Sequence, residues 1–135
     1  LAVAPRGVDL LKVDIDNCDS CFVQALLEAG IEPKLIHVEI TAAFPPELAV
    51  GASFLPGRLA GKLGQSQGLC GSVGEFLRVA PNYRLLHVEV VNAVFVHASL
   101  YERLARGVDV SDEEKWRQGY FCHPLRTSYP HTDHV

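Results

Sequence analysis

Residues 8–15 alternate in a period of two. Leu11, Val13 and Ile15 fall on one face, and Leu10, Lys12 and Asp14 on the other, which predicts a strand. Phe22, Val23, Leu26 and Leu27 then recur at helical spacing. Asp16 is placed to cap that helix, and Asp19 complements its positive end. Gly30 stops the helix, and Pro33 stands just before a second apolar run, residues 34–40. A strand, a helix and a strand in so short an order predict a βαβ unit with parallel strands.

The pattern weakens over residues 41–71, which carry three prolines and six glycines. A connection that long in a compact domain is usually a functional loop. Ser72-Val-Gly-Glu75 is a capping box and predicts a helix to about Val79. Pro81-Asn82 breaks it. Residues 83–91 and 93–97 read as two strands of an antiparallel hairpin, separated by little more than Asn92. Ser99…Glu102 and Ser111…Glu114 are further capping boxes, with Gly107 and Gly119 ending their helices. Residues 120–135 are polar and predict a loose tail. The division expected is 1–106 as part of one α/β domain and 107–135 as a short helix and loose C-terminal tail. Leu35-Ile-His-Val-Glu-Ile40 echoes Leu85-Leu-His-Val-Glu-Val90, which fits two strands of one sheet better than a duplication.

Composition narrows the class. The 135 residues are 48% hydrophobic and 21% charged, the balance of a globular domain. The net charge is -4 with no basic stripe, so no nucleic-acid partner is expected. No apolar run approaches the ~20 residues of a membrane span. The chain begins at Leu1 and has no Met, which suggests a piece of a longer protein. Four cysteines, read as free thiols, slightly favour a reducing, cytoplasmic compartment. Cys18 and Cys21 have C-x-x-C spacing, open to a zinc or redox reading, but no second tight pair follows. Small residues at a helix start is the plainer account, and no metal ligands are assigned.

The chemistry concentrates in Asp9-Leu-Leu-Lys-Val-Asp-Ile-Asp-Asn-Cys-Asp19. In an open α/β sheet, ligands bind beyond the carboxyl ends of the strands, where Asp14, Asp16 and Glu39 are expected. Lys12 in an apolar strand needs a partner, and Glu39 on the neighbouring strand is the natural one. Asp14-x-Asp16 admits two phosphate-chemistry readings: a haloacid-dehalogenase-like nucleophile motif, and the metal clamp of a glycosyltransferase. Gly57-Arg-Leu-Ala-Gly-Lys62 fails as a P-loop, because three residues separate the glycines and Leu63 follows the lysine. His37 and His87 read as core histidines, and His123, His131 and His134 as tail residues.

The same eleven residues resemble the Leu-Lys-Ile-Asp-x-Glu/Asp-Gly-x-Glu/Asp segment of FkbM-type methyltransferases. Pro33-Lys-Leu-Ile-His-Val-Glu39 is similar to that family's Pro-x-x-Ile-x-x-Glu. Cys70-Gly-Ser72, Tyr83-Arg-Leu and Asn92-Ala-Val-Phe-Val96 resemble its closing helix and hairpin. The likeness covers roughly residues 8–100. It implies a partial Rossmann-like methyltransferase sheet, with the fourth and fifth strands and the antiparallel terminal pair. It further implies S-adenosylmethionine as cofactor and O-methylation of a small-molecule or sugar hydroxyl. Under it, Asp14 and Lys12 are the catalytic candidates, Asp16 would face the cofactor and Glu39 the substrate. Asn17 stands where the family has Gly, a position Asn fills in left-handed backbone. The family's Gly-rich cofactor loop has no counterpart in this chain, so a C-terminal portion of the domain is expected. A non-catalytic α/β binding module is the alternative. A sheet lacking its first strands would expose residues 8–15 as an edge, and self-association through that edge is expected.

Overall fold

The computed structural model describes residues 7–54, 70–107 and 110–128. Within them the chain forms a four-stranded mixed α/β sheet in the order β1-β2-β4-β3. β1 is Leu10–Val13, α1 Asp19–Glu28 and β2 Leu35–Glu39. α2 is Val73–Val79, β3 Tyr83–Glu89 and β4 Asn92–His97. α3 is Ala98–Ala105 and α4 Asp112–Trp116, which runs on into a wider turn of helix at Arg117–Phe121.

The expected βαβ unit is present. β1 and β2 are parallel, with Leu10 opposite Leu35 and Val13 opposite Val38. The hairpin is also present, but its second strand does not end the sheet. β4 inserts between β2 and β3 and runs antiparallel to both. The hairpin turns at Val90-Val91 rather than at Asn92, which pairs with Glu89 inside the ladder. Val90 takes a left-handed φ of 54° there. A bulge between Leu85 and His87 shifts the register of β3, which puts His87 on the exposed surface instead of in the core.

β1 is shorter than the alternation predicts, because the backbone leaves the sheet at Asp14. Val13 is buried and Leu11 packs on the core, whereas Ile15 is 38% exposed. Leu10, on the other face, is 55% exposed, so β1 is covered on one side only among the described residues. α1 buries Val23 and packs Leu27 against the core, while Phe22 stays exposed.

α2 starts as its capping box predicts. The Ser72 hydroxyl accepts from the Glu75 amide. The reciprocal half of the box is missing, because Glu75 grips Arg78 through two hydrogen bonds. The Ser72 amide goes instead to the Val50 carbonyl. Ser72 therefore ties residues 48–50 to the helix: its Oγ donates to Leu48 O and accepts from Val50 N. Gly74 sits under the same stretch, where an added Cβ would lie 2.3 Å from Pro46 O. α3 is capped by His97, not Ser99; the ring Nδ1 accepts from the Ser99 amide.

Tyr120, the first residue of the expected loose tail, packs into the core, while residues 129–135 lie outside the described residues. Tyr120 is 2% exposed and belongs to the core cluster, with Trp116 packed against it. Trp116 Nε1 donates to Ala42 O at 2.7 Å. Gly119 does not end a helix here. Its backbone lies on β3, accepting from Val90 N at 2.8 Å, so close that an added Cβ would stand 2.0 Å from Val88 O. Among the described residues no helix is long and apolar enough to cross a membrane.

Candidate functional site

β1 and β2 are parallel and in register, so their carboxyl ends share one edge of the sheet. Asp14 follows the last residue of β1, and Glu39 is the last residue of β2. The backbone then turns sharply. Asp16, with φ of 51°, takes the left-handed conformation expected of Asn17. Asn17 is buried, and its Oδ1 accepts from the Cys18 amide at 2.9 Å. Cys18, not Asp16, is the N-cap of α1; its sulfur accepts from the Cys21 amide.

This turn brings one ligand oxygen each of Asp14, Asp16 and Glu39 within 4.8 Å of one another. Three of the four residues singled out in the sequence thus converge. These three are the described residues that could hold a cation. Lys12 belongs to the same edge through its ion pair with Asp14 at 3.0 Å, rather than through Glu39 as expected. Both partners are more than 40% exposed, so the pair contributes little, about 0–1 kcal/mol. His37 lies opposite Lys12 in the ladder. Burial, and then the Lys12 charge, hold its pKa below the usual value.

The residue underestimated from sequence is Asp19. It is fully buried in the first turn of α1. Its Oδ1 accepts from the Ile15 amide at 3.4 Å, and its Oδ2 has no hydrogen-bond partner. Burial pushes its carboxyl up to about 6; backbone hydrogen bonds from Ile15 and Asn17 oppose the rise, and the charges of Asp14 and Asp16 add to it. Glu39 is pushed up to about 7, first by burial and then by Asp14, Asp16 and Asp19. The Cys70 thiol points at Glu39 Oε2 from 3.8 Å and is itself driven well above its usual range by burial, Asp19 and Glu39. The only signal for Asp19 was its place one residue into the helix. Its burial comes from the chain returning at Cys70–Gly71, where Ser20 N donates to Cys70 O.

Cys18 and Cys21 are joined by a disulfide, which corrects their reading as free thiols and removes them as zinc ligands. The Ala52 carbonyl oxygen lies 2.7 Å from Cys18 Sγ and 3.4 Å from Cys21 Sγ. Neither Cys70 nor Cys122 is joined in a disulfide. The rejected P-loop stretch, 57–62, and His131 and His134 fall outside the described residues, whereas His123 accepts from the Leu125 amide.

A separate groove of about 520 Å³ opens between β3 and the helices after it, with His87, Glu89, Tyr101, Lys115 and His123 on its walls. Lys115 is engaged there by Tyr101 Oη at 2.8 Å and Asp112 at 3.0 Å. No family model, curated protein or solved structure matches this chain.

Proposed function

We propose that residues 8–100 form the part of an S-adenosylmethionine-dependent methyltransferase domain of FkbM type that closes its sheet and carries an acidic site for a small hydroxylated substrate. The observation that carries this reading is the juxtaposition of Asp14, Asp16 and Glu39 at the carboxyl edge of two parallel strands. The segments of resemblance meet at that edge although 24 residues lie between Asp14 and Glu39. The antiparallel β3–β4 pair, which the same resemblance implies, supports it further.

The chemistry asked of these residues is modest. Methyl transfer to a hydroxyl depends chiefly on aligning the nucleophile with the sulfonium methyl. The cofactor supplies the electrophilic methyl group. Asp14 would accept the hydroxyl proton, with the Lys12 ammonium 3.0 Å away beside it. Asp16 and Glu39 would hold polar groups of cofactor and substrate.

The test is calorimetric titration of S-adenosylmethionine and S-adenosylhomocysteine into the protein expressed from its own full open reading frame. A radiolabelled-methyl assay over pooled sugars and small alcohols accompanies it. Saturable cofactor binding, with methyl transfer reduced at least tenfold in Asp14→Asn, is the expected result. No binding of either cofactor form by the folded protein removes the reading.

A further inference from the structure

We propose that Cys18–Cys21 is a redox-active disulfide, which exchanges with thiols in solution while the protein stays folded. The first ground is placement. The two cysteines are three residues apart and open α1, a helix of ten residues. Cys18 is 0% exposed, whereas Cys21 is half-buried. An incoming thiolate therefore meets the Cys21 sulfur, and Cys18 is the sulfur that leaves. A sulfur leaves faster when its thiolate is stabilised. Cys18 is the N-cap of α1. Its Sγ accepts from the Cys21 amide at 3.3 Å, and the Ser20 hydroxyl lies 3.6 Å away. A helix N-terminus is the setting in which C-x-x-C thiols ionise most readily.

The second ground is the Ala52 carbonyl, on a different part of the chain. Its oxygen lies 2.7 Å from Cys18 Sγ and 3.4 Å from Cys21 Sγ. Neither sulfur of a disulfide carries a proton, so neither can donate to that oxygen. As thiols both can. Reduction thus exchanges the covalent link for a hydrogen bond to Ala52, which keeps its segment docked on α1. Asp16 and Asp19 flank Cys18 in the sequence and oppose a lasting thiolate, so the reduced form is the protonated dithiol. The loop closed by the bridge is short, so opening it frees little chain.

The exchange balances with a thiol as reductant. One thiolate attacks Cys21 Sγ, a new sulfur–sulfur bond forms there, and the Cys18–Cys21 bond breaks. The electron pair leaves on Cys18 Sγ, which takes a proton from water. A second thiolate attacks the reductant's sulfur in the mixed disulfide and displaces Cys21, which is protonated in turn. Two thiols become one disulfide as the protein disulfide becomes a dithiol.

The test uses glutathione and the protein expressed from its own full open reading frame, with no S-adenosylmethionine present. The protein is oxidised with glutathione disulfide, then exposed to reduced glutathione at about pH 8. Differential alkylation with peptide mass mapping follows Cys18 and Cys21 separately from Cys70 and Cys122. Reduction should leave the circular dichroism unchanged, and its rate should vary less than about twofold over the first molar of urea. A rate that climbs roughly tenfold per molar, as it does when attack waits for global unfolding, overturns the proposal. Loss of the native circular dichroism on reduction, or failure of the pair to cycle between the two states, overturns it equally. Glutathione disulfide should modify Cys21 in Cys18→Ser about tenfold faster, or more, than Cys18 in Cys21→Ser; the reverse order contradicts the assignment of the attacked sulfur. The wild-type urea series decides the proposal whether or not either variant folds.

Discussion

Replacing Glu39 by Gln should stabilise this protein at neutral pH, although Glu39 sits in the middle of the sheet edge. Its carboxyl is raised from the usual 4.5 to about 7, chiefly by burial and then by three neighbouring acids. Between those two values the native state still holds a proton that the unfolded chain has released. Stability therefore falls as pH rises through the window from about 4.5 to about 7, and the loss is complete above it. The full displacement corresponds to about 3 kcal/mol, at roughly 1.4 kcal/mol for each tenfold change in protonation. Glu39 retains partial solvent access, so about 1–2 kcal/mol is expected after screening. Gln keeps the shape and can accept from the Cys70 thiol, as Glu39 Oε2 does. The assay is equilibrium urea unfolding of both proteins at about pH 4 and about pH 8, with EDTA present so that no cation favours the ionised cluster. The two proteins should match within about 0.5 kcal/mol at the acid pH and diverge at the alkaline one, with the variant higher. A variant equal to or less stable than wild type at about pH 8 would refute the electrostatic reasoning.

Ser72→Ala should cost about 2 kcal/mol in urea unfolding, because it removes the cap of α2 and both bonds to residues 48–50. The exposed cap Ser111→Ala, with only the Glu114 amide at stake, should cost less than about 1 kcal/mol by the same measurement. Gly119→Ala should cost about 3 kcal/mol, since its Cβ would meet the Val88 carbonyl oxygen at 2.0 Å and backbone cannot rotate away; an unchanged urea midpoint would mean the segment does not lie on β3. Reducing Cys18–Cys21 opens only a short loop, the two being three residues apart, so the loss on adding dithiothreitol should not exceed about 2 kcal/mol.

The elements and their order were legible because each rests on local signals. The alternation around Val13, the stripe of Val23 and Leu27 and the capping serines Ser72 and Ser111 all act within a few residues. The placement of Asp14, Asp16 and Glu39 was legible for a related reason: parallel strands put their carboxyl ends on one edge. Failures came where distant chain decides. Ile15 continues the alternation, yet the turn at Asp16 lifts it out of the sheet. Asp19 reads as an ordinary first-turn acid until the Cys70–Gly71 segment covers it. Tyr120 lies in a polar stretch, and only the close approach of Gly119 to Val88 carries it into the core. The spacing of Cys18 and Cys21 admits a zinc site, a redox pair or small residues at a helix start, and favours the last; their disulfide is a contact the spacing alone does not select. The position of β4 between β2 and β3 is a pairing choice that no local pattern encodes.

Glu39 and Asp19 bear on stability in a way that separates a structural role from a functional one. If Glu39 served the fold, its removal would weaken the native state at every pH. The burial and charge around it argue the reverse: ionised Glu39 strains the sheet edge at neutral pH. Asp19, in the first turn of α1, does the same with less scope to relax, since it is fully buried. Ionised groups held at a cost to the fold are what a pre-organised binding site requires.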